Sequence, residues 1–137
     1  MAFNKLLGKW FKDTLIIQVS AMPRDTNARG DIFGGWLMGL MDLASANIAP
    51  EGKSATRAVN NIEFFKAVQV GDLVSCYGYV TDTGTTSVTV HIDVMVGKTK
   101  VACGDFVNVA LDDEGPHLQI EHLELVGNHL ALRDDLK

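Results

Sequence analysis

The sequence is poor in cysteine and proline, with 2 cysteines and 3 prolines among 137 residues. Cys76 and Cys103 both lie in apolar, strand-like segments, so we interpret them as buried free thiols and not as a disulfide or a redox pair. A chain of this length can form a sufficient core without disulfides. Free thiols are typical of a reducing compartment, and we expect the protein in the cytoplasm.

The chain also lacks a surplus of positive charge and any long hydrophobic segment. Its formal net charge is -5 at pH 7, so it has no excess of cations with which to bind a nucleic-acid backbone. No segment of about 18 apolar residues predicts a membrane span. Residues 1–12 have neither the apolar stretch nor the cleavage site of a signal peptide. We expect no nucleic-acid partner and no membrane span.

Several catalytic and metal-binding motifs are missing as well. There is no G-x-S-x-G nucleophile elbow and no phosphate-binding glycine loop, which argues against a serine hydrolase and a nucleoside triphosphatase. The histidines of the tail, His117, His122 and His129, lack the spacing of a zinc site, and no cysteine accompanies them. His91 is interpreted as an ordinary strand histidine, either hydrogen-bonded or exposed. We therefore expect no metal site.

The sequence does contain one helix-forming segment between strand-forming segments. Thr14–Val19 is β-branched and apolar, which predicts a first strand that ends before Pro23. In Trp36–Ala49, apolar residues recur every three or four positions and fill much of the helical wheel. This pattern predicts a helix that is buried on nearly every side and ends at Pro50.

The rest of the chain up to residue 111 predicts antiparallel strands joined by turns. Ser87–Lys98 alternates apolar and polar residues, as expected of a strand with one buried face. Three other strands are predicted, at Thr56–Phe65, Leu73–Thr81 and Lys100–Leu111. We expect these four strands to form a meander, and we interpret the weakly periodic tail from His117 onward as helical.

One long helix followed by four antiparallel strands predicts an α+β fold in which the sheet wraps around one central helix. Residues 1–137 are expected to form a single domain, with residues 1–12 as an amphipathic lead-in and residues 116–137 as a tail. Such a sheet has a free edge strand, and a free edge favours a partner. We therefore expect a homodimer with a continuous sheet, and larger assemblies are also compatible with the pattern.

The residues suited to catalysis lie just before the helix and at its start. Gly34 and Gly35 open the helical pattern, where main-chain amides have no intrahelical partner and glycine leaves room for a carbonyl oxygen. Asp31 lies a few residues earlier, so its carboxylate can activate water or attack a carbonyl carbon itself. Asn27, in the same loop, can orient the water or the carbonyl group.

A structural interpretation of the same residues stays open. An acidic residue close to a helix start often caps the helix, and an asparagine in such a loop often forms an Asx turn. Asp31 and Asn27 fit those roles as well as the catalytic ones. Asp42, within the helix, is interpreted as a partner in a structural hydrogen bond, because buried carboxylates need partners.

The same part of the chain resembles a known family. The segment Asn27–Trp36 (NARGDIFGGW), followed by Met41–Asp42, is similar to the hotdog-fold acyl-CoA thioesterases of the YciA type. The segments Phe64–Asp72 (FFKAVQVGD) and Gly84–Val88 (GTTSV) resemble later parts of that family. The resemblance covers residues 15–111 in the family's order and spacing.

The resemblance implies a hotdog fold and a hydrolase that converts acyl-CoA thioesters to a free carboxylic acid and coenzyme A, with no required cofactor. It implies that Asp31 is the catalytic carboxylate, that Asn27 helps to activate the thioester, and that Gly34 and Gly35 supply the oxyanion-binding amides. It also implies hotdog dimers that assemble further, for example as a trimer of dimers, with active sites at the dimer interface. The chain departs from the family at Ala67, where proline is usual, and throughout its tail.

Coenzyme A carries phosphates, and an acidic chain has few cations to bind them. We consider six candidate ligands: Arg57, Phe64, Lys66, Thr85, Thr86 and Ser87. Arg57 and Lys66 supply positive charge, and the hairpin at residues 84–87 supplies hydroxyl groups and turn amides that bind anions. A solvated surface role is an equal alternative for each of them.

Two other functions compete with hydrolysis. A hotdog dehydratase acting on acyl thioesters generally uses histidine as its base, and no histidine precedes His91 in this chain. A non-catalytic module that binds or senses acyl-CoA would use the same cleft without turnover. The presence of Asp31 argues against the sensing module.

Overall fold

Strand-forming segments surround one helical segment, and the structure, a computed structural model, follows that order. It describes residues 3–6, 9–12, 14–48, 54–111, 123–126 and 129–132. Helix α1 spans Gly34–Ile48, and a single 3-10 turn spans Pro23–Asp25. The strands within the described residues are β1 (Phe3–Leu6), β2 (Lys9–Lys12), β3 (Thr14–Ser20), β4 (Ser54–Phe64), β5 (Leu73–Thr83), β6 (Ser87–Val96), β7 (Thr99–Ala110), β8 (Leu123–Val126) and β9 (His129–Leu132).

Five strands form the main sheet in the order β3-β5-β6-β7-β4, and every neighbouring pair is antiparallel. The strands β5, β6 and β7 form a meander, but β4 pairs with β7 at one edge of the sheet. The predicted four-strand meander is therefore wrong at its first strand. The physical reason is the segment 65–72, which carries the chain from the β4 edge towards the β3 edge and is too long for a tight hairpin.

Helix α1 packs on one face of this sheet. Its buried residues recur at helical spacing, and they are Leu37, Leu40, Met41, Ala44, Ser45 and Ile48. Alternate residues of β6 face them and are fully buried, namely Val88, Val90, Ile92 and Val94. The predicted α+β layout and the alternation in β6 are confirmed.

The far side of the helix is exposed. Leu43 is 62% exposed and Met38 is 38% exposed. The prediction of a helix buried on nearly every side is wrong for the single chain, because one sheet covers only one face of the helix. The outer side of α1 is therefore an apolar surface.

Polar contacts also tie the helix to the sheet. The Thr56 hydroxyl of β4 donates a hydrogen bond to Oδ1 of Asp42, which confirms the structural interpretation of that carboxylate. The side-chain nitrogen of Asn108 in β7 donates to the hydroxyl of Ser45 over 3.3 Å, and both residues are buried. These bonds fix the rotation of α1 about its axis relative to β4 and β7.

The described parts of the chain ends form two separate hairpins. The strand β1 pairs with β2, and β8 pairs with β9. The predicted helical tail is wrong where the tail is described, because the leucines in LELV and HLAL recur at every second position, which suits a strand. The other tail residues, including His117 and His122, lie outside the described residues.

Two further expectations concern the membrane and the cysteines. Among the described residues, no helix is both long enough and apolar enough to cross a membrane. Cys76 and Cys103 are both free thiols, as predicted, but Cys103 is only partly buried. Cys76 is fully buried, and that burial raises the pKa of its thiol to about 12, so it is an inert part of the core.

Candidate active site

The segment before the helix and the segment after β4 are hydrogen-bonded to each other. The Ala21 amide donates to the carbonyl of Asp72, and the Gly71 amide donates to the carbonyl of Ala21, each over 2.9 Å. Gly71 makes this turn with a φ of +90°, which glycine adopts without strain. Further along, the Ile32 amide donates to the carbonyl of Val68 over 2.9 Å, and both side chains are buried. The polar residues next to these anchors face the surface.

Asn27 shapes the loop that carries Asp31. Its Oδ1 accepts hydrogen bonds from the amides of Arg29 (2.9 Å) and Asp31 (3.2 Å), and its own amide donates to the carbonyl of Asp31 (2.7 Å). The Asx-turn interpretation of Asn27 is therefore confirmed. Among the described residues, none accepts a hydrogen bond from its side-chain nitrogen, so that nitrogen is the part of Asn27 available to a ligand.

Two side chains hold the carboxylate of Asp31. Gln69 Nε2 donates to Oδ1 over 2.9 Å, and Arg29 Nη2 donates to Oδ2 over 3.1 Å. The Gln69 hydrogen bond is the main cause that lowers the pKa of Asp31, and the Arg29 hydrogen bond and charge add to it. The side chain is 23% exposed, so this carboxylate is ionised and still accessible at neutral pH.

The structure does not support a helix-capping role for Asp31. Within the described residues its carboxylate accepts hydrogen bonds from Arg29 and Gln69 and from no helix amide. Phe33 and not Asp31 directly precedes the helix, so Asp31 lies too early in the chain to be the N-cap. The carboxylate is consequently free for other chemistry.

Helix α1 begins at Gly34, and none of the described residues caps its N-terminus. Its first turn has no acidic residue, and the amides of Gly34 and Gly35 donate no hydrogen bond to any described residue. This end of the helix dipole is positive and can bind an anionic oxygen. A Cβ atom at position 34 would lie 3.3 Å from the Phe64 ring, so glycine keeps this corner open.

A cleft of about 340 Å³ joins these features. Its wall includes the catalytic candidates Asn27, Asp31 and Gly34, together with Phe64 and Lys66 from the predicted coenzyme A ligands. Gly35 does not line it in the single chain. A carboxylate, an unpaired helix amide and a cation around one cleft are the groups needed to add water to a carbonyl carbon and stabilise the resulting oxyanion.

The other predicted coenzyme A ligands lie elsewhere in the single chain. Arg57 and Thr86 line a second cleft of about 420 Å³, which shares no described lining residue with the first. Thr85 and Ser87 flank Thr86 at the turn between β5 and β6. The structure thus divides the six predicted ligands between two places on the protomer.

Arg29 and Gln69 were not among the predicted site residues. Arg29 is two positions from Asp31, and its opposite charge was a usable signal for an ion pair. Gln69 lies 38 positions away and meets Asp31 only because the segment 65–72 crosses the molecule. No local pattern in the sequence indicates that contact.

Comparison with known proteins identifies a family and relatives for the chain that forms this cleft. Residues 29–103 match the family model described as Thioesterase superfamily. The chain is similar to the acyl-CoA thioester hydrolase YciA of Escherichia coli, with 43% identity over 74% of this chain and 86% of that protein. The matched range contains Asp31, both glycines and Gln69.

Solved structures agree with this match. A hexameric thioesterase from Yersinia pestis is 42% identical with a TM-score of 0.70, covering 74% of this chain and 90% of that one. A hexameric hotdog fold thioesterase of Campylobacter jejuni is 29% identical with a TM-score of 0.67, covering 77% of this chain and 88% of that one. The predicted hotdog fold is confirmed.

Proposed function

This chain belongs to the thioesterase superfamily, and we propose that it hydrolyses acyl-CoA thioesters to free carboxylic acids and coenzyme A. Relatives at 43% and 44% identity are named acyl-CoA thioester hydrolases, which supports the substrate class. The observation that carries the proposal is the ionised Asp31 carboxylate in the same cleft as the uncapped helix start at Gly34.

In the proposed reaction, the Asp31 carboxylate takes a proton from water while the water oxygen bonds to the thioester carbonyl carbon. The carbonyl oxygen becomes an oxyanion, which the Gly34 amide stabilises, with the Gly35 amide beside it. The carbon–sulfur bond then breaks, and the thiolate of coenzyme A accepts the proton from Asp31. The Asn27 side-chain nitrogen is free to donate a hydrogen bond to the thioester carbonyl or the water.

Direct attack by Asp31 on the carbonyl carbon is the alternative route, and it passes through a mixed anhydride. The two routes differ in whether an acyl group becomes bound to the protein. Rapid-quench mass spectrometry under single-turnover conditions distinguishes them, since only direct attack adds the acyl mass to the Asp31 peptide.

We propose that Phe64 and Lys66 contact the coenzyme A portion next to the reacting bond, because both line the Asp31 cleft. Arg57 and Thr86, with Thr85 and Ser87 beside them, are proposed to bind the coenzyme A phosphates at the second cleft. This division fits a substrate that lies between two protomers, where one supplies the carboxylate and the other supplies the phosphate ligands.

We also propose that the chain forms homodimers that assemble as a trimer of dimers. The relatives from Yersinia pestis and Campylobacter jejuni are described as hexameric. The strands β3 and β4 are the edges of the main sheet, and the outer side of α1 carries exposed Met38 and Leu43. Both features favour burial against another copy. Light scattering coupled to size-exclusion chromatography measures the assembly, and a monomer would contradict the proposal.

An acyl-CoA substrate and free thiols fit the predicted cytoplasmic location.

The decisive assay measures free thiol release from a panel of acyl-CoAs by native protein and by Asp31→Asn. We expect native turnover, and we expect the variant to lose about 10²-fold to 10⁴-fold in kcat, as typical for removal of a general base. Circular dichroism checks that the variant is folded. A native protein that binds acyl-CoA but releases no thiol above background would instead be a sensing module.

The dehydratase alternative is tested by adding an α,β-unsaturated acyl-CoA and following loss of its conjugated absorbance. We expect no hydration, because no histidine is among the described residues that line the Asp31 cleft. Hydration without thiol release would overturn the proposed function.

A further inference from the structure

The face of the sheet opposite helix α1 carries a polar cluster that the proposed hydrolysis does not use. In β6, Ile92 is buried towards the helix, so His91 and Asp93 project from the other face. The register of β7 places Asp105 directly across from His91. It likewise places Cys103 directly across from Asp93.

His91 lies between two carboxylates. Its Nδ1 is 2.7 Å from Oδ1 of Asp105, and its Nε2 is 2.9 Å from Oδ1 of Asp93. When Nδ1 donates its proton to Asp105, Nε2 and the Asp93 oxygen are two facing lone pairs that need a cation between them. A proton meets this need, and so does a metal ion.

A third potential ligand is close to this pair. His91, Asp93 and Cys103 each offer one ligand atom that lies within 4.8 Å of the other two. All three residues are partly buried, so a bound ion would be shielded from most of the solvent. Imidazole nitrogen, carboxylate oxygen and thiolate sulfur are together the ligand types of Zn²⁺, whereas Mg²⁺ and Ca²⁺ prefer oxygen alone.

The hydrogen bonds behind His91 resemble the surroundings of a metal-binding histidine. Such a histidine donates its other ring N–H to a carboxylate, which fixes the ring, and Asp105 is positioned to accept it. Asn61 in turn donates to Oδ2 of Asp105 over 3.0 Å. Asn61 has a φ of +54° at an irregularity in the β4–β7 register, so the backbone adopts a left-handed conformation where this side chain meets Asp105.

We propose that His91, Asp93 and Cys103 form a Zn²⁺ site on the outer face of the sheet, with solvent in the fourth position. His91 Nε2, a carboxylate oxygen of Asp93 and the Cys103 thiolate are the protein ligands, and the thiol proton is released to solvent on binding. The ion would join β6 to β7. This proposal departs from the expectation of no metal site, which interpreted His91 as an ordinary strand histidine and did not consider Asp93 and Cys103 beside it.

Lys100 competes with the ion for Asp93. Its Nζ is 3.1 Å from Oδ1 of Asp93, and its side chain is 47% exposed. A lysine with this exposure can turn into solvent when a divalent cation takes its place. The proposed site therefore makes an unusual prediction: removing the Lys100 charge strengthens metal binding.

The test uses Co²⁺ as a spectroscopic probe on the purified full chain in a thiol-free reductant. We expect a near-ultraviolet sulfur-to-cobalt charge-transfer band that saturates at one equivalent and disappears when Zn²⁺ is added. The band should vanish in Cys103→Ser and persist in Cys76→Ala. Asp105→Asn should weaken Co²⁺ binding by about 10-fold to 100-fold, as is typical when such an outer partner is removed, and Lys100→Met should tighten it.

Absence of the band in the native protein, or its persistence in Cys103→Ser, would overturn the proposal. Cobalt bound only by tail histidines gives no sulfur band and also counts against the site. A second measurement needs no variant: Zn²⁺ should protect Cys103 from alkylation, as mapped by peptide mass spectrometry, and an unprotected Cys103 would contradict the proposal. Thiol release from acyl-CoA should be unchanged in Cys103→Ser, so the metal site and the proposed hydrolysis are tested separately.

Discussion

The Asp31 cleft and the His91 cluster each centre on a titratable side chain with two hydrogen-bonding partners, but the two regions are built differently. Asp31 lies in a loop, and its partners Arg29 and Gln69 come from that loop and from a second loop. His91 lies in a strand, and its partners Asp93 and Asp105 are set by sheet register. The donors around Asp31 favour a negative charge, and the carboxylates around His91 favour a positive one.

This difference determines what each region can do. Loop backbone at the Asp31 cleft leaves the carboxylate accessible beside unpaired amides, which suits a substrate that must enter and leave. The paired strands under His91 hold their side chains at fixed spacing, which suits an ion or a structural contact. The hydrogen bond to Asp93 is the main cause that raises the pKa of His91, with burial opposing it, whereas Gln69 and Arg29 lower the pKa of Asp31.

The largest expected effect comes from neutralising the Asp31 carboxylate, and the same change at Asp93 in the other region is its control. Asp31→Asn should reduce kcat by about 10²-fold to 10⁴-fold, because the base is removed while the side-chain shape is kept. Asp93→Asn should leave thiol release from acyl-CoA close to the native rate, because Asp93 lies on the opposite face of the sheet. Equal losses in both variants would show that the two regions are not functionally distinct.

The next largest effect concerns the helix start. Gly34→Val should lower kcat by about 10²-fold, since a side chain at this position meets the Phe64 ring and blocks the oxyanion corner. Gly35→Val tests the neighbouring amide, and its Cβ would lie only 2.7 Å from Cε2 of Phe33, an exposed side chain that can move. Steady-state kinetics on both variants show which glycine contributes more to kcat. Near-native rates in both variants would mean that the oxyanion binds elsewhere.

A smaller effect should appear in the pH profile. Asp31 is active as the carboxylate, and its pKa lies below the ordinary value of 3.8, so activity should fall only as the pH drops through that lowered value. Gln69→Ala removes the main cause, so the pKa should rise and the acid limb of kcat/KM should move to higher pH. Arg29→Ala should move it less.

If the acid limb of kcat/KM does not move in Gln69→Ala, the Gln69 hydrogen bond does not set the pKa of the group that limits activity. Gln18→Ala is a matched control, because this variant also loses a glutamine that donates a side-chain hydrogen bond, here to Ser75. It should leave the acid limb where it is in the native protein.

The smallest expected effect lies in the strand region and concerns stability. Asn61→Ala should lower the free energy of unfolding by about 2 kcal/mol, since it loses a hydrogen bond and keeps an unfavourable positive φ. Asn61→Gly should recover about half of that loss, because glycine tolerates the backbone conformation. Urea unfolding measures both, and identical losses would mean that the backbone conformation contributes nothing.

The sequence predicted local structure well and long-range pairing poorly. The apolar alternation in Ser87–Lys98 and the helical spacing in Trp36–Ala49 placed β6 and α1 within a few residues of their bounds. The partner of β4 was missed, because pairing with β7 depends on where the segment 65–72 leads the chain. The exposed side of the helix was missed because an apolar surface does not reveal whether its own chain or another copy covers it.

The candidate site shows the same division. Asp31, Asn27 and the helix-start glycines are neighbours in the sequence, so their chemistry was recognisable from residue types and spacing. Gln69 was not recognisable, since it reaches Asp31 across 38 positions. The family resemblance located the acid, but only the three-dimensional structure reveals the side chain that contributes most to lowering its pKa.

The bond between Gln69 and Asp31 also makes the candidate active site depend on the docking of a distant segment of the chain. A chain in which α1 has formed but the segment 65–72 has not yet docked lacks the donor that favours the anion and leaves the Asp31 loop unanchored. During refolding, thiol release should therefore lag behind the recovery of helical circular dichroism.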